Sequence, residues 1–271
     1  MPPENIYGHV KRLHWIVGQV DEGASLIELG CGTGYMISRP LAKLGFDVHG
    51  VDHDEESVAY GKEVFRQEGL DPDVLKAIDI ADLEVTADAI IASEVLEHIP
   101  DEDMESIFTS IRKKLKPNGK LLVTVPNGYG WFELESFLWF KAGLGKLLAK
   151  LKIVWAIVTL KRLLFRCETD YPHPSTLADS PHVRYFTFRS IQTLLRDRGF
   201  EITSITGSVL FSGPFSNLKF TGIKPIMKLN GKLGGWLPRI AAGYFVSCRP
   251  SGPYTFRVDS VKQTEVESLR Q

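Results

Sequence analysis

The sequence predicts a doubly wound α/β fold, in which helices cover both faces of a mainly parallel sheet. Short apolar runs alternate five times with helical patterns, and the first of these runs ends in a cluster of glycines. The chain has 271 residues, of which 44% are hydrophobic and 24% charged. This length and composition suffice for one sizeable hydrophobic core, alone or with an additional insertion. We therefore expect one enlarged domain.

The predicted elements follow one another between residues 25 and 126. The run "SLIELGC" has the apolar content of a buried parallel strand and leads through glycines into a helix. The last helix of the series starts at the acidic turn "DED" and ends at "KPNG". Strands are predicted at 25–31, 46–52, 74–79, 87–93 and 120–126, and helices at 34–44, 55–68 and 101–115.

A nucleotide-like ligand is predicted where the first two strands end, because ligands of doubly wound sheets bind beyond the carboxyl ends of the strands. In "ELGCGTG", Gly30, Gly32 and Gly34 allow a tight turn that brings backbone N–H groups close to a ligand. Asp52 ends the second strand, where a carboxylate can accept hydrogen bonds from both ribose hydroxyls. The nicotinamide pattern GxGxxG fails, since Tyr35 stands where its third glycine belongs.

Five segments follow one another between residues 25 and 127: "ELGCGTG", "GVD", "IDIADL", "IIASEVLEHIPD" and "LKPNGKLLVTVPN". In content and order they resemble the motifs of class I S-adenosylmethionine-dependent methyltransferases. The resemblance implies a Rossmann-like sheet of seven strands with an antiparallel last strand, and S-adenosyl-L-methionine as cofactor. More loosely, 183–206 resembles the family's late helix and sixth strand, 240–250 its last strand, and the whole organisation that of ubiquinone-type O-methyltransferases.

The resemblance also implies which residues contact the cofactor. Glu28 would fix the loop and the amino group of the methionine portion, Asp52 would hold the ribose, and His53 would lie near the adenine. Two of the residues have simpler alternatives, Asp79 as a helix cap and Glu94 as a solvated turn residue. The predicted cofactor-binding residues are Glu28, Gly30, Cys31, Gly32, Gly34, Asp52, His53, Asp79, Ile80, Ser93 and Glu94.

Methyl transfer to a hydroxyl needs alignment, exclusion of water and removal of a proton. The candidate bases are His98 in "LEHIP" and His182 in "SPHVRYF", because imidazole has a suitable proton affinity near neutral pH. The alternatives are a structural hydrogen bond for His98 and a loop brace for His182. His173, in the same loop as His182, is a weaker candidate.

No metal site and no disulfide framework are predicted. The sequence shows no cluster of carboxylates and histidines, which disfavours a magnesium-dependent mechanism. Cys31, Cys167 and Cys248 lie far apart without a CxxC pattern, so we expect them to be reduced and buried.

Positive charge is concentrated in two stretches. Seven Lys and Arg residues and no acid lie between Glu135 and Glu168, and seven more lie between Glu201 and Asp259. The rest of the chain therefore carries 18 of the 32 bases with all 33 acids, close to −15. Such segregation indicates a partner surface.

The first basic stretch contains "KLLAKLKIVWAIVTLKRLLF", which is amphipathic and too short in its uncharged part, 153–160, to span a bilayer. We interpret it as an in-plane helix on an anionic membrane. A helix that caps the sheet, a homodimer contact and an RNA-binding face are the alternatives. The apolar stripe comprises Leu144, Leu147, Leu148, Leu151, Val154, Trp155 and Val158, with Lys146, Lys150 and Lys161 largely off it.

The expected organisation is a single methyltransferase domain, 1–258, with a cofactor-binding core at 25–130, insertions at 131–180 and 212–239, and a polar tail at 259–271. A helix within 5–20 is expected to act as a lid. With no secretory signal, the expected location is the cytoplasm, peripheral on the inner face of a membrane.

The predicted reaction is O-methylation of a hydrophobic or lipid-linked small molecule. The alternatives are N- or C-methylation of a soluble metabolite, with the insertions forming a dimer, and cofactor binding without catalysis.

Overall fold

The computed structural model describes residues 8–165, 173–178, 181–220 and 223–252, and its seven strands form one mixed sheet. The strands are β1 (Ser25–Leu29), β2 (Asp47–Val51), β3 (Leu75–Lys76), β4 (Ala87–Ser93), β5 (Leu115–Pro126), β6 (Phe200–Gly207) and β7 (Gly243–Pro250). Their order across the sheet is β3-β2-β1-β4-β5-β7-β6, and β7 is antiparallel to both of its neighbours. The predicted seven-stranded sheet with an antiparallel last strand is confirmed.

Ten α-helices are found in the described part of the chain. The helix predicted at 34–44 begins only at Ser38, because the glycine loop extends further than expected. The strand predicted at 74–79 is reduced to two residues, since the chain turns into a 3-10 helix at Ile80–Asp82. The helices are α1 (His9–Val17), α2 (Ser38–Lys43), α3 (Glu55–Gln67), α4 (Asp101–Lys114), α5 (Trp131–Ser136), α6 (Leu144–Lys150), α7 (Ile153–Phe165), α8 (Phe188–Asp197), α9 (Pro214–Phe220) and α10 (Lys224–Trp236).

The core lies on both faces of β4 and β5, because successive strand residues point to opposite faces of a sheet. On one face, Ile90 packs with residues of α4 and α8, among them Phe108 and Leu195. On the other, Ile91 packs with Ile16 of α1 and with α2. The strands are thus held from both sides, which fixes their carboxyl ends.

The amphipathic segment expected as one helix is broken, which corrects the prediction. α6 ends at Lys150 and α7 begins at Ile153; between them Lys152 has a φ of 58°, a left-handed conformation that interrupts a helix. The seven stripe residues all remain half-exposed or exposed. Lys161, expected on the polar face, is instead 8% exposed and donates to the Leu218 carbonyl of α9 at 2.8 Å.

Two further expectations concern membranes and cysteines. Among the described helices, none has both the length and the apolar character needed to traverse a bilayer. Cys31 and Cys248 are free thiols and buried, as expected. Cys167, Arg166 and the tail at 259–271 lie outside the described residues.

Candidate active site

The loop between β1 and α2 is built on three glycines with left-handed backbone. Gly30, Gly32 and Gly34 have φ values of 69°, 54° and 69°. A Cβ atom on Gly32 would lie 2.3 Å from the Ser175 carbonyl oxygen, and one on Gly30 would lie 2.5 Å from a methyl of Val95. The glycines are therefore required by the turn and by neighbouring protein atoms, in addition to any ligand.

Asp52 is fixed at the carboxyl end of β2 by two backbone donors. One carboxylate oxygen accepts from Gly32 N at 2.7 Å, and the other accepts from Asp54 N at 2.9 Å. Since a carboxylate oxygen has two lone pairs, each retains acceptor capacity for a hydroxyl group. The arrangement suits the predicted ribose contact.

A cleft of about 620 Å³ opens beyond the carboxyl ends of the strands. Its volume lies within the range of small-molecule and cofactor sites. Four of the predicted cofactor residues, Glu28, Cys31, Gly34 and Ser93, do not line this cleft as the described residues form it. The predicted residues that line it are Gly30, Gly32, Asp52, His53, Asp79, Ile80, Glu94 and His98.

Asp79 caps a short helix, the simpler of its two alternatives, and it also lines the cleft. One of its oxygens accepts from Ala81 N at 2.7 Å and so caps the 3-10 helix Ile80–Asp82. The other lies 3.6 Å from Nε2 of His53, and both side chains line the cleft. Ile80, next to them, is 1% exposed.

Glu94 follows β4 in a strained conformation. Its φ of 55° is left-handed, which costs a non-glycine residue about 1–3 kcal/mol and occurs preferentially at functional sites. Its carboxylate pairs with Arg12 of α1 at 3.1 Å and accepts from the Thr124 hydroxyl at 3.1 Å. Glu94 is thus half-buried and ion-paired, unlike a solvated turn residue. Arg12 was not predicted from the sequence, because its only signal was a position in the amphipathic N-terminal helix.

Glu28 lies behind the loop. Its carboxyl accepts from Ser38 N at 2.8 Å and from the Ser38 hydroxyl, which ties β1 to the start of α2. Burial raises the pKa of Glu28 to about 8. Burial likewise raises the pKa of the neighbouring Cys31 thiol well above its usual range. Ser93 is also internal and shares a hydrogen bond of 2.8 Å with the Thr124 hydroxyl.

Residues 173–178, here called the strap, cross the glycine loop. Thr33 donates its hydroxyl to the Pro174 carbonyl at 2.8 Å and its N–H to the Ser175 carbonyl at 3.0 Å. On the α3 side, Leu177 N donates to the Ser57 hydroxyl at 2.7 Å. The strap contributes Ser175, Thr176 and Ala178 to the cleft.

His173 sits at the start of the strap rather than among the other histidines. Its Nδ1 lies 3.0 Å from the Tyr60 hydroxyl of α3, and its ring packs against Tyr35. These contacts favour a structural role over the weak catalytic one that the sequence allowed.

The structure brings the two predicted catalytic histidines together. The rings of His98 and His182 lie 4.8 Å apart, edge to face, and His98 lines the cleft. Nδ1 of His98 is 3.2 Å from the Pro181 carbonyl, so the structural hydrogen bond named as its alternative is also present. Burial, and then the neighbouring His98, lower the pKa of His182.

Glu97 joins this pair, and the sequence analysis missed it. It is fully buried, and neither carboxylate oxygen has a hydrogen-bond partner among the described residues. Burial, together with the nearby Glu94, raises its pKa. One potential ligand atom from each of Glu97, His98 and His182 lies within 4.8 Å of the other two. The sequence does place Glu97 next to His98 in "SEVLEHIP". The third member of the cluster, His182, comes from a distant segment, so the cluster could not be recognised from spacing.

Comparison with known proteins identifies a family match over most of the chain and relatives over a shorter part of it. A family model described as "Methyltransferase domain" matches residues 10–205. The mitochondrial ubiquinone biosynthesis O-methyltransferase of Bos taurus is 32% identical over 119 residues, which cover 41% of this chain and 30% of that protein. The enzyme of the same name from Rhizobium leguminosarum is 31% identical over 108 residues, 39% of this chain and 42% of the relative. The match therefore spans less than half the length of each of these relatives.

Solved structures with the same fold also match. Magnesium protoporphyrin IX methyltransferase from Synechocystis, crystallised with bound SAH, has a TM-score of 0.52 at 15% identity, covering 92% of this chain and 84% of that one. An S-adenosylmethionine-dependent methyltransferase from Methanosarcina mazei has a TM-score of 0.52 at 19% identity, covering 88% and 97%. At these identities the likeness establishes the fold.

Proposed function

Since the chain belongs to the class I S-adenosylmethionine-dependent methyltransferases, we propose that it methylates a hydroxyl group on a hydrophobic or lipid-linked small molecule at a membrane surface. The observation that carries the proposal is an unburied apolar and basic surface on the helices that follow β5. Oxygen as the acceptor atom is supported by the names of the matching O-methyltransferases.

The cleft fits S-adenosyl-L-methionine. The Asp52 carboxylate, held by two backbone N–H groups and with lone pairs to spare, would bind the ribose hydroxyls. Asp79 and Ile80 would contact the adenine, and Glu94 would lie near the methionine portion. When bound, the cofactor supplies a methyl group on a positively charged sulfur.

The chain's own residues would align the reactants and exclude water. The strap covers the glycine loop. His98 lines the cleft on the side where we place the acceptor, and the ring of His182 lies 4.8 Å from that of His98. Holding two reactants in alignment can supply about 7–11 kcal/mol of the barrier. Positioning therefore accounts for a large share of the expected rate enhancement.

The insertion emerges beside the cleft. Since β4 and β5 are parallel, α5 begins at the same edge of the sheet as Glu94. Phe140, Trp155 and Leu163 are 68%, 69% and 76% exposed, and no acid lies between residues 135 and 168. Exposed apolar side chains interspersed with lysines match a helix lying in the interface of an anionic membrane, where each base contributes about 1 kcal/mol. An acceptor dissolved in that membrane would reach the cleft without leaving the membrane.

The proposal is tested by isotope transfer. A lipid extract is prepared from cells that lack the gene and is dispersed in anionic vesicles. The purified chain and cofactor labelled in its methyl group are then added. We expect the label in the organic phase, in a product whose mass spectrum shows a new methoxy group. Asp52→Ala should bind cofactor at least about tenfold more weakly and lose the signal, since it removes a charged acceptor. Asp47→Ala, which removes an exposed carboxylate at the start of β2, is the matched control.

Three other outcomes would refute the proposal. Label confined to water-soluble products would indicate a soluble metabolite, and a methyl group on nitrogen or carbon would exclude O-methylation. Tight cofactor binding without any labelled product would indicate a binding protein without catalysis.

A further inference from the structure

A second cavity, here called the α1–α10 groove, lies between residues 10–14 of α1, the end of β6 and α10. Its volume of about 940 Å³ lies within the range of small-molecule sites. In the described part of the chain, the groove and the cofactor cleft share no lining residue. The groove is therefore a separate candidate site.

Lys11 fixes the walls of the groove relative to one another. Its ammonium group donates to the carbonyls of Gly207 and Ser208 at 2.6 Å and to the carbonyl of Gly231 at 2.7 Å. These bonds join α1 both to the end of β6 and to α10. Because an ammonium group has three protons, Lys11 is fully occupied by the three carbonyls. A ligand in the groove must therefore be bound by other side chains.

Glycines of α10 keep the groove open. Gly231 and Gly235 both line it, although glycine is unfavourable inside a helix. A Cβ atom on Gly234 would lie 2.5 Å from the Ser208 carbonyl oxygen, so packing requires that glycine. A Cβ atom on Gly231 would lie 3.6 Å from Cδ of Lys11, which is an ordinary van der Waals contact. Packing does not require Gly231, and a large side chain there would occupy the groove.

The groove carries positive charge without a carboxylate. Lys224, Lys228 and Lys232 follow one another by one helical turn on the face of α10 that lines it. All three are exposed, and none forms an ion pair within the described ranges of the chain. No acidic residue lines the groove as those ranges form it. Like charges one turn apart repel one another, so this face favours an anion.

Apolar side chains form the rest of the groove. Val10, Val209 and Met227 line it together with Trp236, which is 74% exposed. An exposed indole beside aliphatic side chains favours contact with an apolar ligand. The flexible methionine side chain can adapt to the shape of such a ligand. Lysines and apolar walls in one groove therefore favour a molecule with an anionic head and an apolar chain.

We propose that the α1–α10 groove binds one lipid molecule through a phosphate in its head group. Phosphate oxygens accept charge-assisted hydrogen bonds from ammonium groups, and basic pockets bind lipid head groups in this way. Free phosphate would pair with the lysines but leave the apolar walls in water. The site goes beyond the proposed methylation, since neither the cofactor nor the acceptor takes part in it.

Binding is measured by titration calorimetry on the purified full chain, without cofactor or acceptor. The probe is dihexanoyl phosphatidic acid below the concentration at which it forms micelles, and we expect one molecule to bind per chain. Dihexanoyl phosphatidylcholine has the same chains but no net charge, and inorganic phosphate has no chains. Each of these two should bind at least about tenfold more weakly than the probe.

Two variants test the groove itself. Lys228→Gln should weaken binding of the probe about fivefold, the effect of one ammonium group close to a phosphate. Gly231→Leu keeps every charge and should weaken binding severalfold by filling the groove. Its Tm without lipid should equal or exceed the wild-type value, because leucine favours a helix. The control is Lys113→Gln, which removes an exposed lysine of α4 outside the groove and should bind the probe as the wild type does.

Several results would overturn the proposal. Wild-type affinity in Lys228→Gln or Gly231→Leu would place the lipid elsewhere, and an equal loss in Lys113→Gln would indicate a nonspecific effect of charge. Equal affinity for phosphatidylcholine or inorganic phosphate would exclude an anionic lipid. Absence of binding would also overturn it, and light scattering would then show whether the groove pairs two copies of the chain. Because the probe is monomeric, these outcomes are independent of methylation.

Discussion

At the residue scale, Glu28 links pH to stability. Its pKa is about 8 in the folded chain against an ordinary 4.5, mainly because the carboxyl is buried. Between these values the folded state holds a proton that the unfolded state has lost. The free energy of unfolding therefore falls as pH rises through this window, and the loss is complete above pH 8.

Comparison with Glu28→Gln isolates this contribution. The amide keeps an acceptor for Ser38 N but does not titrate, so its free energy of unfolding should depend less on pH. We expect the wild-type chain to lose a few kcal/mol relative to Glu28→Gln between about pH 4.5 and 8. Urea titrations at several pH values measure the difference, and parallel profiles would show that Glu28 does not titrate in this range.

Individual residues differ in how far the sequence could locate them. Asp52 was placed correctly at the edge of the cleft because the carboxyl ends of parallel strands converge there. Arg12 and Glu97 were missed, since their contacts depend on how α1 and the segment at 181–184 fold back over the strand ends. Sequence spacing carries no information on such long-range contacts.

At the scale of elements, the strap connects the two sides of the cofactor cleft. Its hydrogen bonds join the glycine loop to α3, and three of its residues line the cleft. A bound cofactor would lie beneath or beside it, so the strap should limit how fast the cofactor leaves.

Thr33→Val tests this role. The substitution removes the hydroxyl, which donates to the Pro174 carbonyl at 2.8 Å, lies 3.2 Å from the Ser175 carbonyl and accepts weakly from Tyr35 N at 3.4 Å. The N–H bond from Thr33 to Ser175 is kept. One such hydrogen bond contributes about 1 kcal/mol, so cofactor dissociation should be about fivefold faster in a stopped-flow displacement measurement. The control is Thr203→Val on β6, which loses a similar bond to the Ser247 carbonyl of β7 and should release the cofactor at the wild-type rate. Equal rates in all three proteins would mean that the strap does not limit release.

Periodicity predicted the elements of the sheet better than those of the insertion. Strands between covering helices are constrained by burial on both faces, which leaves an apolar run that can be recognised. The break at Lys152 has no such signal, because lysine does not favour the left-handed conformation found there. The burial of Lys161 depends on α9, a separate segment.

For the molecule as a whole, the insertion should give salt-dependent membrane binding. We expect the chain to float with anionic vesicles at low salt and to dissociate at high salt, because screening weakens the attraction of its lysines. Trp155→Glu and Leu163→Glu should each reduce flotation severalfold, since they place a negative charge on the exposed apolar surface. Leu44→Glu, at a site 61% exposed next to α2, is the control.

Failure to float at any salt concentration would contradict this prediction. Light scattering would then show whether the same surface pairs two copies of the chain, the alternative that the sequence left open. A dimer that dissociates on Leu163→Glu would identify the apolar surface as a subunit contact.

Because the bases are concentrated in two stretches, against a remainder close to −15, we expect the molecule to have an electrical polarity. In the field of a negatively charged bilayer such a particle experiences a torque before it touches the lipid. Tumbling near the surface would be biased, and a larger fraction of collisions would begin with the lysine-bearing helices foremost. The rate of membrane association would then depend on the orientation of the molecule as it approaches the bilayer, as well as on the contacts formed afterwards.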